Sequence, residues 1–314
     1  MPLLTRKTWL LAKIESTEGT DPTPVGGSNA IQVTSVDITP IESDTIQADA
    51  MQGFLGNSTR GTVLANKRVS VSFSTELSGS GAAGTAPGYG PLLKSCGLSE
   101  TVVSGTSVTY APVSASFSSC TIYCFYDLTR HKITGARGTV TFNLVAGQIA
   151  SADFQFTGIY NAPDSTDMSG TWTLANQAAG LEVNDTNITT ATFHGVASQR
   201  IESFDLALNN EVVYKETVSS KQSLIVNRAP GGTAVIEALD TATTDYFAKA
   251  VAVSTGATDI ILGASAGNIV RLKADQTDIT GVSYGDTNGV RSLNVPYLAL
   301  PTTAGNNEIS LIYT

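Results

Sequence analysis

The chain has 314 residues, of which 41% are hydrophobic and only 14% are charged. Its net charge of −9 at pH 7 argues against a nucleic-acid-binding protein that relies on a basic face. No run approaches the roughly 18 apolar residues of a membrane-spanning helix. The apolar stretch 9–12 ends at Lys13 and is too short for a signal peptide. The length fits two domains or one large all-β domain.

The N-terminal residues 1–30 predict an arm rather than a packed domain. A short apolar stretch, Trp9-Leu10-Leu11, is followed by a polar segment that Gly and Pro interrupt up to Pro24. Such a segment is expected to be mobile when it is alone. Trp9, Leu10 and Leu11 are therefore candidate contacts with another subunit.

Most of the remaining chain alternates apolar and polar residues with period two. This pattern is typical of strands with one face on a core and one face in water. Its clearest stretches are residues 69–74, 139–144, 153–157, 203–208 and 309–313. Only two stretches favour helices, residues 91–96 and residues 241–253, and each is followed by a glycine.

The order of these elements occurs twice along the chain. Each half contains one of two related four-residue stretches, Ser35-Val36-Asp37-Ile38 or Ser203-Phe204-Asp205-Leu206. In both halves this stretch is followed by a strand, a helix, a strand that begins with glycine, and a last strand that ends near proline. The sequence therefore predicts a mainly β protein with two tandem β-sandwich or barrel modules, each with one flanking α-helix. The expected bounds are an N-terminal arm at 1–30, a first module at 31–165, a linker at 166–198 and a second module at 199–314.

Each half also carries a long segment between its first two strands, residues 40–66 and residues 209–232. Long loops inside compact domains are usually functional or disordered. The apolar residues of these segments include Met51, Phe54 and Leu55 in the first and Val212, Val213 and Tyr214 in the second. We interpret both segments as contact arms for another subunit. The alternative is a β-hairpin that folds back on its own domain.

The three cysteines, Cys96, Cys120 and Cys124, are expected to be free and buried in a reducing compartment. On a strand, Cys120 and Cys124 would lie about 13 Å apart, which is too far for a disulfide. A metal site built on this pair would need further ligands, for which His131 is the obvious candidate.

No constellation of residues predicts catalysis. The sequence lacks a Gly-x-Ser-x-Gly elbow, a His-Glu-x-x-His motif and a Walker-type phosphate loop. His131 and His194 are interpreted as surface or core residues. Three carboxylate pairs lie among polar turn residues, where Asp commonly binds its own backbone; they are Glu42 with Asp44, Asp164 with Asp167, and Asp275 with Asp278. We therefore predict no enzyme, no cofactor and no metal.

Three segments resemble the major tail tube proteins of long-tailed (siphovirus-type) bacteriophages. The first is residues 10–24, in which Gly19-Thr20-Asp21-Pro22 is followed by Pro24, together with the apolar strand after it. The other two are Gly90-Pro91-Leu92-Leu93 and the closing stretch 294–301. The resemblance covers most of the chain.

The resemblance implies tail-tube-like modules whose subunits close into rings, and rings that stack into a tube. Phage DNA would pass through the lumen without specific binding. The implied partners are other copies of the chain, the tape-measure protein, the tail terminator and the distal tail protein. The implied location is the virion tail, after assembly in the host cytoplasm and without membrane insertion. Some members of the family carry two fused copies and form trimeric, pseudo-hexameric rings; the duplication favours this version over a homohexamer.

Two further expectations follow. Because a basic lumen would grip DNA, the lumen is expected to be lined by Asp, Glu, Ser, Thr and Asn. The arms, including the N-terminal segment, are expected to contact the next ring. The alternative functions are a carbohydrate-binding or adhesin-type β-domain, or another virion component such as a tail terminator or a capsid decoration protein.

Overall fold

A computed structural model describes residues 3–47, 51–57, 60–166 and 171–314. The strands are β1 (Thr8–Ile14), β2 (Ala30–Ile31), β3 (Ser35–Gln47), β4 (Thr62–Glu76), β5 (Leu98–Val103), β6 (Ser107–Pro112), β7 (Cys120–Tyr126), β8 (Thr129–Val145), β9 (Ser151–Tyr160), β10 (Ile188–Thr192), β11 (Ile201–Ala207), β12 (Asn210–Glu216), β13 (Lys221–Arg228), β14 (Gly231–Glu237), β15 (Thr255–Leu262), β16 (Val270–Ile279), β17 (Ser283–Thr287), β18 (Val290–Ala299) and β19 (Ser310–Tyr313). The helices are α1 (Gly26–Asn29), α2 (Gly90–Ser95) and α3 (Tyr246–Val251). The prediction of a mainly β fold is confirmed.

The strands bury their apolar residues as the alternation predicts. In β4, Val69, Val71 and Phe73 are buried, whereas the serines between them reach solvent. The same pattern in β8 and β9 gives a continuous core beneath the sheet. Burial of these apolar side chains is the main favourable contribution to folding.

The order of antiparallel neighbours is the same in both halves of the chain. In the first half it is β1, β7, β8, β9, β4, β3. In the second half it is β10, β15, β16, β18, β14, β11. A helix follows the equivalent strands β4 and β14. We call these two sets repeat 1 and repeat 2.

One difference between the repeats lies in β8. This strand is continuous, whereas repeat 2 has β16 and then β17 in its place. The C-terminal part of β8 forms a hairpin with β9, as β17 does with β18. The C-terminal part of β8 therefore corresponds to β17.

Antiparallel pairing of β11 with β8 joins the two repeats. The register runs from Ser203 opposite Val145 to Ala207 opposite Thr141. Together with the pairings inside each repeat, this junction makes one sheet of eight strands in the order β3, β4, β9, β8, β11, β14, β18, β17. Within the described parts of the chain, β3 pairs only with β4 and β17 pairs only with β18, so both outer edges of this sheet are open.

The N-terminal segment differs from the expected arm. β1 pairs with β7 and β2, which buries Leu10 and Leu11. The segment after β1 is fixed because the buried Glu15 carboxylate accepts hydrogen bonds from Ser119, Thr121, Gly135 and Gly19. Polar contacts therefore anchor residues 15–19 to the rest of the subunit.

Two other expectations are modified. The second helix begins at Tyr246 rather than at residue 241, because Asp245 caps it by accepting a hydrogen bond from Ala248 N at 2.8 Å. Part of the expected linker, β10, is a strand that pairs with β15.

All three cysteines are free and buried, as predicted. Burial raises the pKa of the Cys120 and Cys124 thiols to about 12 and raises that of Cys96 well above its ordinary value. Because the thiolate is the reactive form, the native thiols are unreactive near neutral pH.

Candidate assembly surfaces

The first long segment, residues 40–66, is a hairpin in which β3 and β4 continue beyond the core; we call it arm 1. Its large apolar side chains are exposed rather than packed on the core. They are Ile41, Ile46, Met51, Phe54, Leu55, Val63 and Leu64. Residues 48–50 and 58–59 lie outside the described residues. A concentration of exposed apolar side chains on one projection is typical of a protein contact surface.

Polar contacts fix the base of arm 1. The Arg68 guanidinium donates to Glu42 at 2.5 Å, and Ser70 Oγ donates to the other Glu42 oxygen at 2.7 Å. The hydrogen bond from Arg68 holds the pKa of Glu42 below its usual value. Asp44, the other member of this carboxylate pair, accepts from Asn66 Nδ2 at 2.7 Å. These two carboxylates therefore have a structural role at the hairpin.

The second long segment, residues 209–232, contains the hairpin β12–β13; we call it arm 2. It packs on repeat 1 of the same chain. Asn210 Nδ2 donates to Cys96 O at 2.7 Å and to Gly138 O at 2.9 Å. Arg228 donates to Val113 O at 2.7 Å, and it also pairs at 2.8 Å with Glu308, which precedes β19 in the C-terminal half. Arm 2 thus folds back on its own chain, but onto the other repeat.

Arg137 connects arm 2, the N-terminal segment and β8. Its side chain is buried and forms a two-pronged ion pair with Glu18 at 3.0 and 2.9 Å. It also donates to the carbonyl oxygens of Phe117, Ser118 and, in arm 2, Ser223. Sequence reasoning missed this residue, because a single Arg in an alternating strand carries no signal of its partners.

The residues proposed as contacts fall into two groups. Leu10 and Leu11 are buried within the subunit, and Trp9 stacks on Trp172 with ring centroids 4.7 Å apart. This stretch therefore offers little free surface, because β1 is an integral strand. In contrast, the arm 1 residues are exposed; in arm 2, Val213 is exposed while Val212 and Tyr214 are half-buried.

The face of the eight-stranded sheet that lies opposite the core is almost entirely polar. Its central positions are Ser35, Asp37, Thr39, Ser70, Ser72, Ser74, Thr139, Thr141, Asn143, Asp153, Gln155, Thr157, Ser203, Asp205, Thr233, Val235, Ser283, Gly285, Asn294 and Pro296. We call this set the polar face. The charged residues at these central positions are all aspartates; along the same strands the alternation continues to Arg68, Glu76, Arg137 and Glu237 at the margins of the face.

Half-burial raises the pKa of one of these aspartates, Asp205, although Thr233 N donates to its carboxylate at 3.0 Å. A raised pKa means that the folded state binds the proton more tightly than the unfolded state does. The contribution of Asp205 to stability therefore becomes less favourable as the pH rises through its pKa.

The histidines and carboxylates that could carry chemistry lie apart. His194 is buried and its Nε2 lies 2.8 Å from Ser254 O, whereas His131 is half-buried, which lowers its pKa. Asp164 is held by Arg130, and Asp167 lies outside the described residues. Among the described residues, no group of three or more His, Cys, Asp or Glu side chains gathers as a metal site. The same residues include no helix with the length and hydrophobicity needed to cross a membrane.

Comparison with known proteins identifies the class of molecule. A family model described as phage tail tube protein matches residues 5–307. The match covers nearly the whole chain, so the chain belongs to the phage tail tube protein family. It is a structural protein of the virion tail and not an enzyme. No curated protein matches the chain.

Proposed function

We propose that the chain assembles with copies of itself into rings of three, that these rings stack into the tail tube, and that phage DNA passes through the lumen during ejection. The observation that carries the proposal is the eight-stranded sheet, which spans both repeats and has an open edge at each end. Open edges pair readily with another chain, and a closed barrel removes them.

The stoichiometry follows from the two repeats. Each chain contains two similar repeats, so three chains together contain six similar units. These six units can close as a ring around one axis. The alternative is a hexamer of chains, in which one head-to-tail contact is repeated six times. We favour three because the two repeats have the same order of antiparallel neighbours.

The polar face is the surface that we propose lines the lumen. Its Ser, Thr, Asn and Gln side chains bind water, and its aspartates repel the phosphate backbone of DNA. Such a wall favours sliding over binding. The proposed partners at the ends and inside the tube are the tail terminator, the distal tail protein and the tape-measure protein.

Arm 1 supplies the first test. Replacing Met51, Phe54 and Leu55 together by serine is expected to abolish filaments, because it removes exposed apolar area that only another subunit can bury. The stability of the unassembled chain should change by less than about 0.5 kcal/mol, since these side chains are outside the core. Negative-stain microscopy measures filaments, and urea unfolding measures stability.

The matched control replaces three exposed apolar residues outside both arms, Leu3, Val102 and Val103, by serine. This control should still form filaments of the same uniform diameter as the unmodified chain. If the arm 1 variant forms filaments at the same protein concentration as the unmodified chain, the proposed role of arm 1 is contradicted. Failure of the unmodified chain to form any ring or filament would contradict the proposed function itself.

A further inference from the structure

The two halves of the chain also meet at a second place, apart from the pairing of β11 with β8. The C-terminal strand β19 lies between β16 of repeat 2 and β6, which precedes β7 of repeat 1, and it pairs with both. We call β19, β6 and the loops 78–81 and 267–269 the clasp. We infer that the clasp fixes the angle between the two repeats and thereby sets the number of chains that close a ring. This inference rests on the proposed function, because it concerns how the proposed ring closes.

Side chains of β19 fill the space between the two halves. Leu311 lies opposite Leu272 of β16 on one side and opposite Tyr110 of β6 on the other. Both Leu311 and Tyr313 are buried. The Tyr313 hydroxyl lies 2.9 Å from the hydroxyl of Tyr89, the residue that precedes α2. The last strand of the chain therefore holds both β6 and the start of α2 in the first half.

The two loops of the clasp contact each other through backbone atoms. Gly79 N donates to Asn268 Oδ1 at 2.8 Å, and Gly81 N donates to Gly267 O at 2.9 Å. The end of the chain holds the same loop, because Gly267 N donates to Thr314 O at 3.0 Å. A Cβ on Gly79 would lie only 2.1 Å from Gly267 O. The contact therefore has no room for a side chain at position 79.

The clasp and the pairing of β11 with β8 lie in different layers. Phe154 of β9 faces the core, and the ring of Tyr89 packs against it with centroids 6.4 Å apart. The clasp is therefore across the core from the polar face, whereas β11 and β8 belong to the sheet that bears this face. The twist between two paired strands varies from about 10° to about 35°, so one pairing alone leaves the angle between the repeats variable. A second attachment in another layer fixes it.

The clasp occurs once in each chain. In the first half, the hairpin of β5 and β6 stands between α2 and β7. In the second half, α3 ends at Val251 and β15 begins at Thr255, so no equivalent hairpin follows the helix. The clasp therefore acts on the angle inside the chain, and the contact between chains closes without it.

The geometry of a ring makes this angle critical. A ring of three requires each chain to turn by about 120°, and a head-to-tail contact that misses the closing rotation gives an open helix. Layers packed across a core lie about 10 Å apart, so a displacement of about 1 Å in the clasp turns one repeat relative to the other by about 6°. The error adds over three chains to about 17°, which leaves the ring open.

Gly79→Ala tests the inference. Moving the new Cβ from 2.1 Å to an ordinary contact of at least 3.4 Å displaces the clasp by about 1.3 Å. The variant should form arcs or helices, and closed rings of three chains should fall about fivefold or more. Native mass spectrometry counts the chains in each assembly, and negative-stain microscopy distinguishes closed rings from arcs.

The matched control is Gly27→Ala. Its Cβ would lie 3.9 Å from the nearest atom, Thr171 O, so the substitution displaces nothing. This control should close rings of three chains as the unmodified chain does.

Hydrogen exchange on the unassembled chain shows whether a substitution acts on the clasp. The amides of residues 79–81 and 310–314 should exchange about tenfold faster or more in Gly79→Ala, whereas those of β11 should stay within about twofold. Asn268→Ala is the second variant, in case Gly79→Ala does not fold. It removes the acceptor of Gly79 N without adding volume, and it should change exchange and ring closure in the same direction.

Two results would overturn the inference while leaving the proposed function intact. One is a variant whose clasp exchanges faster but which still closes only rings of three chains. The other is unchanged exchange of residues 79–81 and 310–314 in both variants. Absence of rings from the unmodified chain would overturn the proposed function, and the inference with it.

Discussion

Replacing Arg137 by methionine is expected to lower the free energy of unfolding by about 3–5 kcal/mol. The side chain of Arg137 is only 8% exposed, and the substitution leaves Glu18 without its partner. It also removes the donor from three carbonyl oxygens, those of Phe117, Ser118 and Ser223. Methionine nearly fills the volume, so the loss reports unpaired polar groups rather than a cavity.

The control for this prediction is Arg200→Met. Arg200 also pairs with a carboxylate, Glu237, at 3.0 Å, but its side chain is 66% exposed. Exposed pairs contribute about 0–1 kcal/mol, so the control should stay close to the unmodified chain. Urea unfolding below the concentration of assembly measures both variants. If the two variants unfold at the same urea midpoint, Arg137 and Glu18 do not hold arm 2 and the N-terminal segment to β8 as described.

Replacing Gly232 by valine is expected to cost about 3 kcal/mol, through overpacking between β11 and β14. A Cβ on Gly232 would lie 2.0 Å from Asp205 O, a backbone atom that cannot rotate away. Tyr297 also donates to this oxygen at 2.8 Å, so moving β11 breaks a second contact. Because β11 pairs with β8, the strain acts on the junction between the repeats.

Gly281→Val is the matched control for Gly232→Val, because a Cβ on Gly281 would lie 3.7 Å from its nearest neighbour, Pro296 Cγ. The control should unfold near the midpoint of the unmodified chain in thermal or urea unfolding. A Gly232→Val chain that unfolds within 1 kcal/mol of the unmodified protein would mean that β11 and β14 can separate freely, contrary to the structure.

The strands were predictable because a one-sided sheet imposes period two on its residues. The alternating residues Val69, Val71 and Phe73 predict β4 without any information on its neighbouring strands. The two related tetrads predicted β3 and β11 as equivalent strands for the same reason. In each tetrad, alternate residues face the core, and Val36 in β3 corresponds to Phe204 in β11.

The N-terminal segment was not predictable, because its order depends on polar contacts with distant residues. Glu15 and Glu18 look like solvated charges in a Gly-rich and Pro-rich stretch. Their partners, such as Thr121 and Arg137, are more than 100 positions away in the sequence. Periodicity contains no information about such contacts.

The pairing of β11 with β8 could not be predicted from the sequence for a related reason. Pairing depends on which edge of a strand is left open, and alternation reports only which face is buried. Tyr284 illustrates the limit: the sequence marks it as apolar, but only the structure shows that it lies 59% exposed on an edge strand.

The most direct test of the central claim is the symmetry of a single ring, measured by cryo-EM of assembled tubes together with native mass spectrometry of the isolated ring. The account predicts three chains of 32.6 kDa each, arranged so that six similar repeats surround the lumen. The sheets of neighbouring chains should be continuous from β17 to β3. A ring of six chains, or a ring whose β3 and β17 edges remain separate, would contradict the account.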